Sequence, residues 1–97
     1  MTYALAPEAK RDLDAIKRYL LGKRASAAKL VLQDIRAACE LLGAHPALGR
    51  SQQDLAPDVK SFPVRSYMVL YEVDQPAIRI LRVIHGKRDL PTALLDP

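Results

Sequence analysis

The sequence has one cysteine, Cys39, two histidines and no tryptophan, and no apolar run approaches the roughly 18 consecutive residues of a membrane span. A lone cysteine cannot form an internal disulfide, and no apolar signal stretch occupies the N-terminus. We therefore expect a cytoplasmic protein with no membrane partner. One cysteine and two histidines, without carboxylates at ligand spacing, do not make a credible zinc site, so neither a metal nor another cofactor is expected.

Motifs for familiar enzyme chemistry are also absent. No Ser/His/Asp or Cys/His combination, glycine-rich phosphate loop or carboxylate pair stands out along the chain. The aromatic residues are four tyrosines and one phenylalanine, most of them at core-like positions, whereas a nucleic-acid surface built on stacking would expose several. The net charge of +4 and a pI of about 9.5 favour an acidic partner or nucleic acid without identifying either. The residues alone predict a folded domain but no reaction.

Two stretches have the apolar spacing of amphipathic helices. The first begins at Pro7, whose missing N–H suits the first helical position, and runs from Glu8 to about Leu21. The second runs from about Ser26 to Leu42. Gly22 and Gly43 are predicted to end them, the latter as a left-handed cap. The apolar stripes consist of Leu13, Ile16 and Leu20 in the first helix and of Val31, Ile35, Ala38 and Leu42 in the second.

The stretch from Phe62 to Asp89 has the alternation of two strands and holds the densest cluster of reactive side chains. One face of the first strand carries Tyr67, Val69, Tyr71 and Val73; in the second strand, Ile78, Ile80, Arg82 and Ile84 alternate with Arg79, Leu81, Val83 and His85. A turn is predicted at 74–76, and Gly86 ends the second strand. The alternation with apolar residues favours a core position for Tyr67 and Tyr71 over the alternative of a stacking platform.

The element order predicts the fold class. A further extended run lies around Asp58 to Val64, and Thr2 to Leu5 can add an edge strand. The resulting β-α-α-β-β-β order predicts a single α+β domain over residues 1–97, in which an antiparallel helical hairpin packs on one face of a small antiparallel sheet. The other face of the sheet is expected to stay partly open.

Two polar residues in the predicted strands have competing interpretations. Arg82 interrupts an apolar stripe, and a half-buried guanidinium needs a carboxylate, which Glu72 or Asp89 could supply across the sheet. His85 is either a general acid or base or a structural residue that fixes the following turn. Both are candidates for a structural polar role. Cys39, on the second helix, is predicted to be a small buried hydrophobe.

Four segments match a known family: LAPEAKRDLDAI at the first helix, HPALGR after the second, then FPVRSYMVLYEV and IRILRVIHGKRD. Together they resemble the ParE branch of the RelE/ParE superfamily, the toxin halves of bacterial toxin–antitoxin pairs. The last two segments at their observed distance form the specific part of the match, which covers nearly the whole chain. The resemblance implies two helices packed on an antiparallel sheet, in agreement with the periodicity.

The superfamily contains two activities. Its RelE-like branch cuts messenger RNA in the ribosome with lysines on the second strand, an arginine directly after the tyrosine that opens the third strand, an arginine after the fourth and a C-terminal tyrosine. Here Met68 follows Tyr67, and the second strand offers Lys60 alone. Arg88 matches, but no tyrosine follows it. Most of the ribonuclease set is missing.

A second ribonuclease variant of the superfamily uses a glutamate, an arginine and a histidine. Arg65 and His85 fit that set, but no glutamate is placed to act with them. The ParE branch instead blocks DNA gyrase by binding, and this is the function that the resemblance favours, with no catalytic residue expected. The alternatives are a ribosome-dependent ribonuclease using Arg65, His85 and Arg88, and a non-toxic relic that binds only its antitoxin.

The resemblance also implies partners. A ParD-type antitoxin would form a hetero-oligomer with the chain, its C-terminal segment folding on binding. Candidate residues of its groove are the apolar positions Leu13, Ile16, Leu20, Val31 and Ile35. Gyrase would be contacted by exposed cations, for which the candidates are Arg65, Lys87 and Arg88. No sequence-specific binding of nucleic acid is expected.

Overall fold

The fold was obtained as a computed structural model that describes residues 3–54, 56–74 and 76–86. Its elements, in chain order, are β1 (Tyr3–Leu5), α1 (Pro7–Lys23), α2 (Ala25–Ala44), a 3-10 turn (Pro46–Leu48), β2 (Arg50–Ser51), β3 (Val59–Val64), β4 (Tyr67–Asp74) and β5 (Ala77–His85). The strands form one sheet in the order β1-β5-β4-β3-β2. Neither helix in the described part of the chain is long and apolar enough to cross a membrane.

The predicted α+β class and the helical hairpin packed on the sheet are confirmed. The sheet is mixed, however, because the edge strand β1 pairs in parallel with β5 while the other pairs are antiparallel. Periodicity identifies a strand but not its neighbour, so the parallel pair was not predictable from the alternation. The two-residue strand β2, within the segment after α2, is an addition to the predicted elements.

The helices begin as predicted but end later. Pro7 opens α1, and Ala6 provides no side-chain cap. The prediction that Gly22 and Gly43 end the helices is wrong, since α1 continues to Lys23 and α2 to Ala44. A left-handed cap is absent at both ends: the C-cap of α2 is His45, with φ −136°. Pro46 explains that end, because a residue before proline is disfavoured in the helical conformation.

The core lies between the hairpin and one face of the sheet. The helices contribute Ile16, Val31, Ile35, Ala38, Cys39 and Leu42, and the strands contribute Val64, Val69, Tyr71, Ile78, Ile80 and Val83. Tyr67 and Val73 pack against this cluster while partly buried, which confirms the face predicted for β4. A smaller cluster on the other face contains Met68, Leu70 and Ile84.

A β-bulge shifts the alternation in the middle of β5. Leu70 pairs with Arg82 but Tyr71 pairs with Ile80, so Leu81 is the inserted residue. The alternation predicted for β5 is therefore wrong beyond this point. Val83 joins the core under the helices, and Ile84 belongs to the opposite cluster, since one extra residue exchanges the two faces of a strand.

Candidate functional site

A groove runs between the two helices and reaches β1, the edge strand of the described sheet. At the β1 end it is a 470 Å³ hollow whose apolar wall includes Leu5, Leu13, Leu32 and Ile35. A neighbouring 340 Å³ hollow shares Lys17, Leu32 and Arg36 with it and extends along the helices. We call these two hollows together the hairpin groove. Its apolar wall lies beside the strand edge, so it can receive a segment of a partner chain.

Basic side chains line both sides of the hairpin groove. Lys10 and Lys17 lie on α1, and Lys29 and Arg36 lie on α2. In each pair the two residues are seven positions apart, about two helical turns, and therefore share a helix face. The carboxylate among the lining side chains is Asp14. The groove is thus apolar between two basic rows, which suits an acidic amphipathic segment.

The five apolar residues predicted for an antitoxin groove lie in or against the core. Ile16, Val31 and Ile35 are buried, while Leu13 and Leu20 pack on the core and are partly buried. Of these five, Leu13 and Ile35 also line the groove. The apolar periodicity of a helix identifies the residues that face the core. Most of the residues predicted from it therefore lie beneath the groove and do not line it. The seven-residue spacing of the groove cations is visible in the sequence, but Arg11 and Arg18 have the same spacing outside the groove lining.

Arg65 is the one gyrase-contact candidate within the described residues, since Lys87 and Arg88 lie outside them. It occupies the turn between β3 and β4 with φ 54°, in the left-handed region. Its Nε donates to Oδ2 of Asp34 on α2 at 2.6 Å, and both side chains are about half exposed. The guanidinium is thus held at the surface at the end of the sheet.

Arg82 has a carboxylate partner, as predicted, but the partner is Asp12 on α1. Arg82 donates from Nε to Asp12 Oδ2 at 2.7 Å and from Nη2 to Oδ1 at 3.1 Å, and the Val83 N–H donates to Oδ2 at 2.9 Å. Of the two partners predicted across the sheet, Glu72 lies opposite Arg79, and Leu70 is the residue opposite Arg82. The other predicted partner, Asp89, lies outside the described residues. The Asp12 contact joins α1 to β5.

His85 is exposed at the end of β5, directly opposite Tyr67 on β4. The two ring centroids are 5.3 Å apart, with the rings nearly perpendicular. The pKa of Tyr67 is raised by burial and by the nearby Tyr19. Beyond His85, the Gly86 N–H donates to the Ser66 carbonyl at 3.0 Å. The choice between an acid–base and a structural role for His85 stays a prediction.

The HPALGR segment is tied to the sheet by a buried tyrosine. The Tyr71 hydroxyl donates to the Pro46 carbonyl at 2.6 Å and accepts from the Gly49 N–H at 2.8 Å. Its pKa is raised mainly by burial. This segment, one of the four on which the family resemblance rests, therefore has a structural function, since it surrounds the end of a core side chain.

Cys39 is buried, as predicted for a small hydrophobe. Burial, with a smaller contribution from Glu40, raises the pKa of its thiol to about 11. The thiol is therefore protonated near neutral pH and unsuited to act as a nucleophile. Within residues 3–54, 56–74 and 76–86, no three His, Cys, Asp or Glu side chains are grouped so that they could hold a metal ion.

Comparison with known proteins gives consistent matches along the chain. The sequence profile described as "ParE toxin of type II toxin-antitoxin system, parDE" matches residues 3–90. The chain is 35% identical over 83 residues to Toxin RelE3 of Caulobacter vibrioides, covering 84% of this chain and 90% of that protein. It is 32% identical over 84 residues to Toxin ParE3 of the same organism, covering 86% and 84%. A solved structure of the chromosomal ParDE TA system from P. aeruginosa matches with a TM-score of 0.75 and 25% identity, covering 90% of this chain and 97% of that one.

Proposed function

The chain belongs to the ParE family of toxins of type II toxin–antitoxin systems, and we propose that it inhibits DNA gyrase in the cytoplasm by binding, without cleaving RNA. The relatives carry both the ParE and the RelE names, so their names do not choose between the two activities. The choice rests on the residues at the positions where a RelE-type ribonuclease needs charge.

The observation that carries the proposal is the environment of Met68. It follows the tyrosine that opens β4, the position at which the resemblance to RelE-like toxins would require an arginine. Its side chain is buried against Leu70 and Ile84 on the second face of the sheet. A buried thioether can neither stabilise a charged phosphorane nor transfer a proton, so the position supports the fold and not RNA cleavage.

The supporting observation concerns the antitoxin, a partner that membership of the family implies. We propose that a ParD-type antitoxin places an acidic amphipathic segment in the hairpin groove. The apolar wall would take the apolar stripe of that segment, and the rows formed by Lys10 and Lys17 and by Lys29 and Arg36 would face its carboxylates. Complementary charge chiefly accelerates encounter and selects the partner.

Reversing one groove cation should weaken antitoxin binding. Arg36→Glu is expected to lower the affinity about tenfold or more, mainly through slower association, because it places a carboxylate beside the antitoxin's acidic groups. The control is Arg11→Glu, which makes the same change at an exposed residue of α1 outside the groove lining. Surface plasmon resonance with the cognate antitoxin measures both variants. Equal losses would mean that net charge, and not the groove, determines binding.

The gyrase proposal is tested by a supercoiling assay with purified protein and gyrase. We expect lost supercoiling together with accumulated cleaved DNA, both reversed by the cognate antitoxin. Arg65→Ala should raise the half-inhibitory concentration about tenfold if Arg65 contacts the target. Its melting temperature should hardly change, because an exposed ion pair contributes about 0–1 kcal/mol.

The matched control is Asp34→Ala, which removes the same ion pair but keeps the arginine, and it should inhibit like the wild type. Full inhibition by Arg65→Ala would show that the contact surface lies elsewhere. No effect of the wild-type protein on gyrase at large molar excess would refute the proposal. Cleavage of ribosome-bound RNA would then establish the ribonuclease alternative, and antitoxin binding without either activity would establish the relic.

A further inference from the structure

Tyr19 lies near the end of α1, and Tyr67 and His85 face each other at the paired ends of β4 and β5. Tyr19 is 60% exposed, the highest value among the large hydrophobic side chains identified as exposed within the described residues. The pKa of Tyr67 is raised by burial and, to a smaller extent, by Tyr19, and the ring centroids of Tyr67 and His85 are 5.3 Å apart. We call Tyr19, Tyr67 and His85 the aromatic corner. Tyr19 belongs neither to the described core clusters nor to the lining of the hairpin groove.

Cations accompany the aromatic corner. The Lys23 ammonium lies over the Tyr19 ring, 5.7 Å from its centroid, one helical turn further along α1. Arg24, the next residue, is exposed at the junction of the helices. A cation over an aromatic face is attracted to the ring, so Lys23 and the exposed Tyr19 form one surface that is both aromatic and basic. Aromatic faces beside basic groups are the elements with which proteins bind single-stranded nucleic acid.

We propose that the aromatic corner binds single-stranded nucleic acid, with a base stacked on Tyr19 and a neighbouring phosphate held by Lys23. The exposed His85 ring provides a second aromatic surface, and it contacts the partly buried Tyr67 ring nearly at a right angle. This mode is independent of base sequence, because every base offers a flat face. Through this binding mode, a protein that binds a DNA-processing enzyme would also bind the nucleic acid on which that enzyme acts.

The geometry favours single strands over duplex. In a duplex the faces of the bases are already stacked on each other, so Tyr19 could reach only the backbone. Lys23 and Arg24 would contact that backbone in either case, giving the salt-dependent part of the binding. Removing the ring at position 19 should therefore lower the stacking contribution to the affinity. Removing the charge at position 23 should lower the salt-dependent contribution.

Fluorescence anisotropy with labelled oligothymidylate and oligouridylate, each about twelve nucleotides long, tests the proposal on the whole protein. We expect both to bind and Tyr19→Leu to weaken binding about tenfold, while Tyr19→Phe keeps it, since phenylalanine retains the flat ring. Lys23→Gln should reduce the dependence of log affinity on log salt by about 0.7. Arg11→Gln, which removes an exposed cation of α1 outside both the hairpin groove and the aromatic corner, is the control and should leave that slope unchanged.

Three outcomes would overturn the inference: no binding of the wild-type protein at low salt, Tyr19→Leu binding like the wild type, or a duplex of the same length binding equally well. Binding of only one of the two oligonucleotides would show whether the single strand bound by the aromatic corner is DNA or RNA. The assay contains neither gyrase nor antitoxin, so its failure would leave the gyrase proposal standing. Thermal melts of the variants, all at exposed positions, check that each is folded.

Discussion

Replacing Gly49 with alanine is expected to lower the free energy of unfolding by about 3 kcal/mol. A Cβ at position 49 would overlap the Tyr71 ring, lying 2.6 Å from Cε1 and 2.7 Å from Cζ and nearer still to the hydroxyl. Tyr71 is fully buried, so its ring can move away only by displacing the core around it. Such a movement would also break its hydrogen bonds to Pro46 and Gly49.

The cause of this loss would be steric and not conformational. Gly49 has φ −69° and ψ 156°, an extended conformation that alanine adopts readily. The control is Gly22→Ala in α1, where an added Cβ meets nothing within 4 Å. That variant should be stabilised by about 0.5–1 kcal/mol, since alanine favours a helix more than glycine does.

Urea denaturation followed by circular dichroism measures both glycine variants. Combining Gly49→Ala with Tyr71→Phe should cost less than the sum of the single changes, because the two share the contact at the hydroxyl. Unchanged stability of Gly49→Ala would show that the ring moves without cost and that the HPALGR segment is not fixed by Tyr71.

Replacing Asp12 with alanine is expected to cost about 2–3 kcal/mol. Its carboxylate accepts two hydrogen bonds from the Arg82 guanidinium and one from the Val83 N–H. The side chains of the pair are only 16% and 21% exposed, so water would replace the lost contacts incompletely. The change should loosen α1 from β5 next to the bulge, and a lower melting temperature measures the effect.

Asp34→Ala provides the matched comparison for Asp12. Its ion pair with Arg65 is as short, 2.6 Å against 2.7 Å, but the two side chains are 50% and 49% exposed. Solvent screening should limit its loss to less than about 1 kcal/mol. Equal losses in the two variants would contradict the view that burial decides the strength of these pairs. If Asp12→Asn were as stable as the wild type, the bond to Val83 rather than the charge would matter.

The sequence predicted those features that depend on neighbours along the chain. The apolar spacing identified both helices, and alternation identified β4 and the buried face of Tyr71. These signals work because helix and strand repeat within a few residues, so a side chain's face follows from its local spacing. The family segments, one of which includes Met68 after Tyr67, were likewise present in the sequence before any tertiary contact was known.

The tertiary structure decided which distant residues meet. Asp12 and Arg82 are 70 positions apart in the sequence, and they pair only because α1 packs beside β5. The inserted Leu81 moved Val83 to the buried face, a shift that the local alternation did not show. The hairpin groove likewise forms only when the basic rows of two helices lie side by side. Local spacing tells which face a residue occupies, but contact between faces depends on the packing of the whole chain.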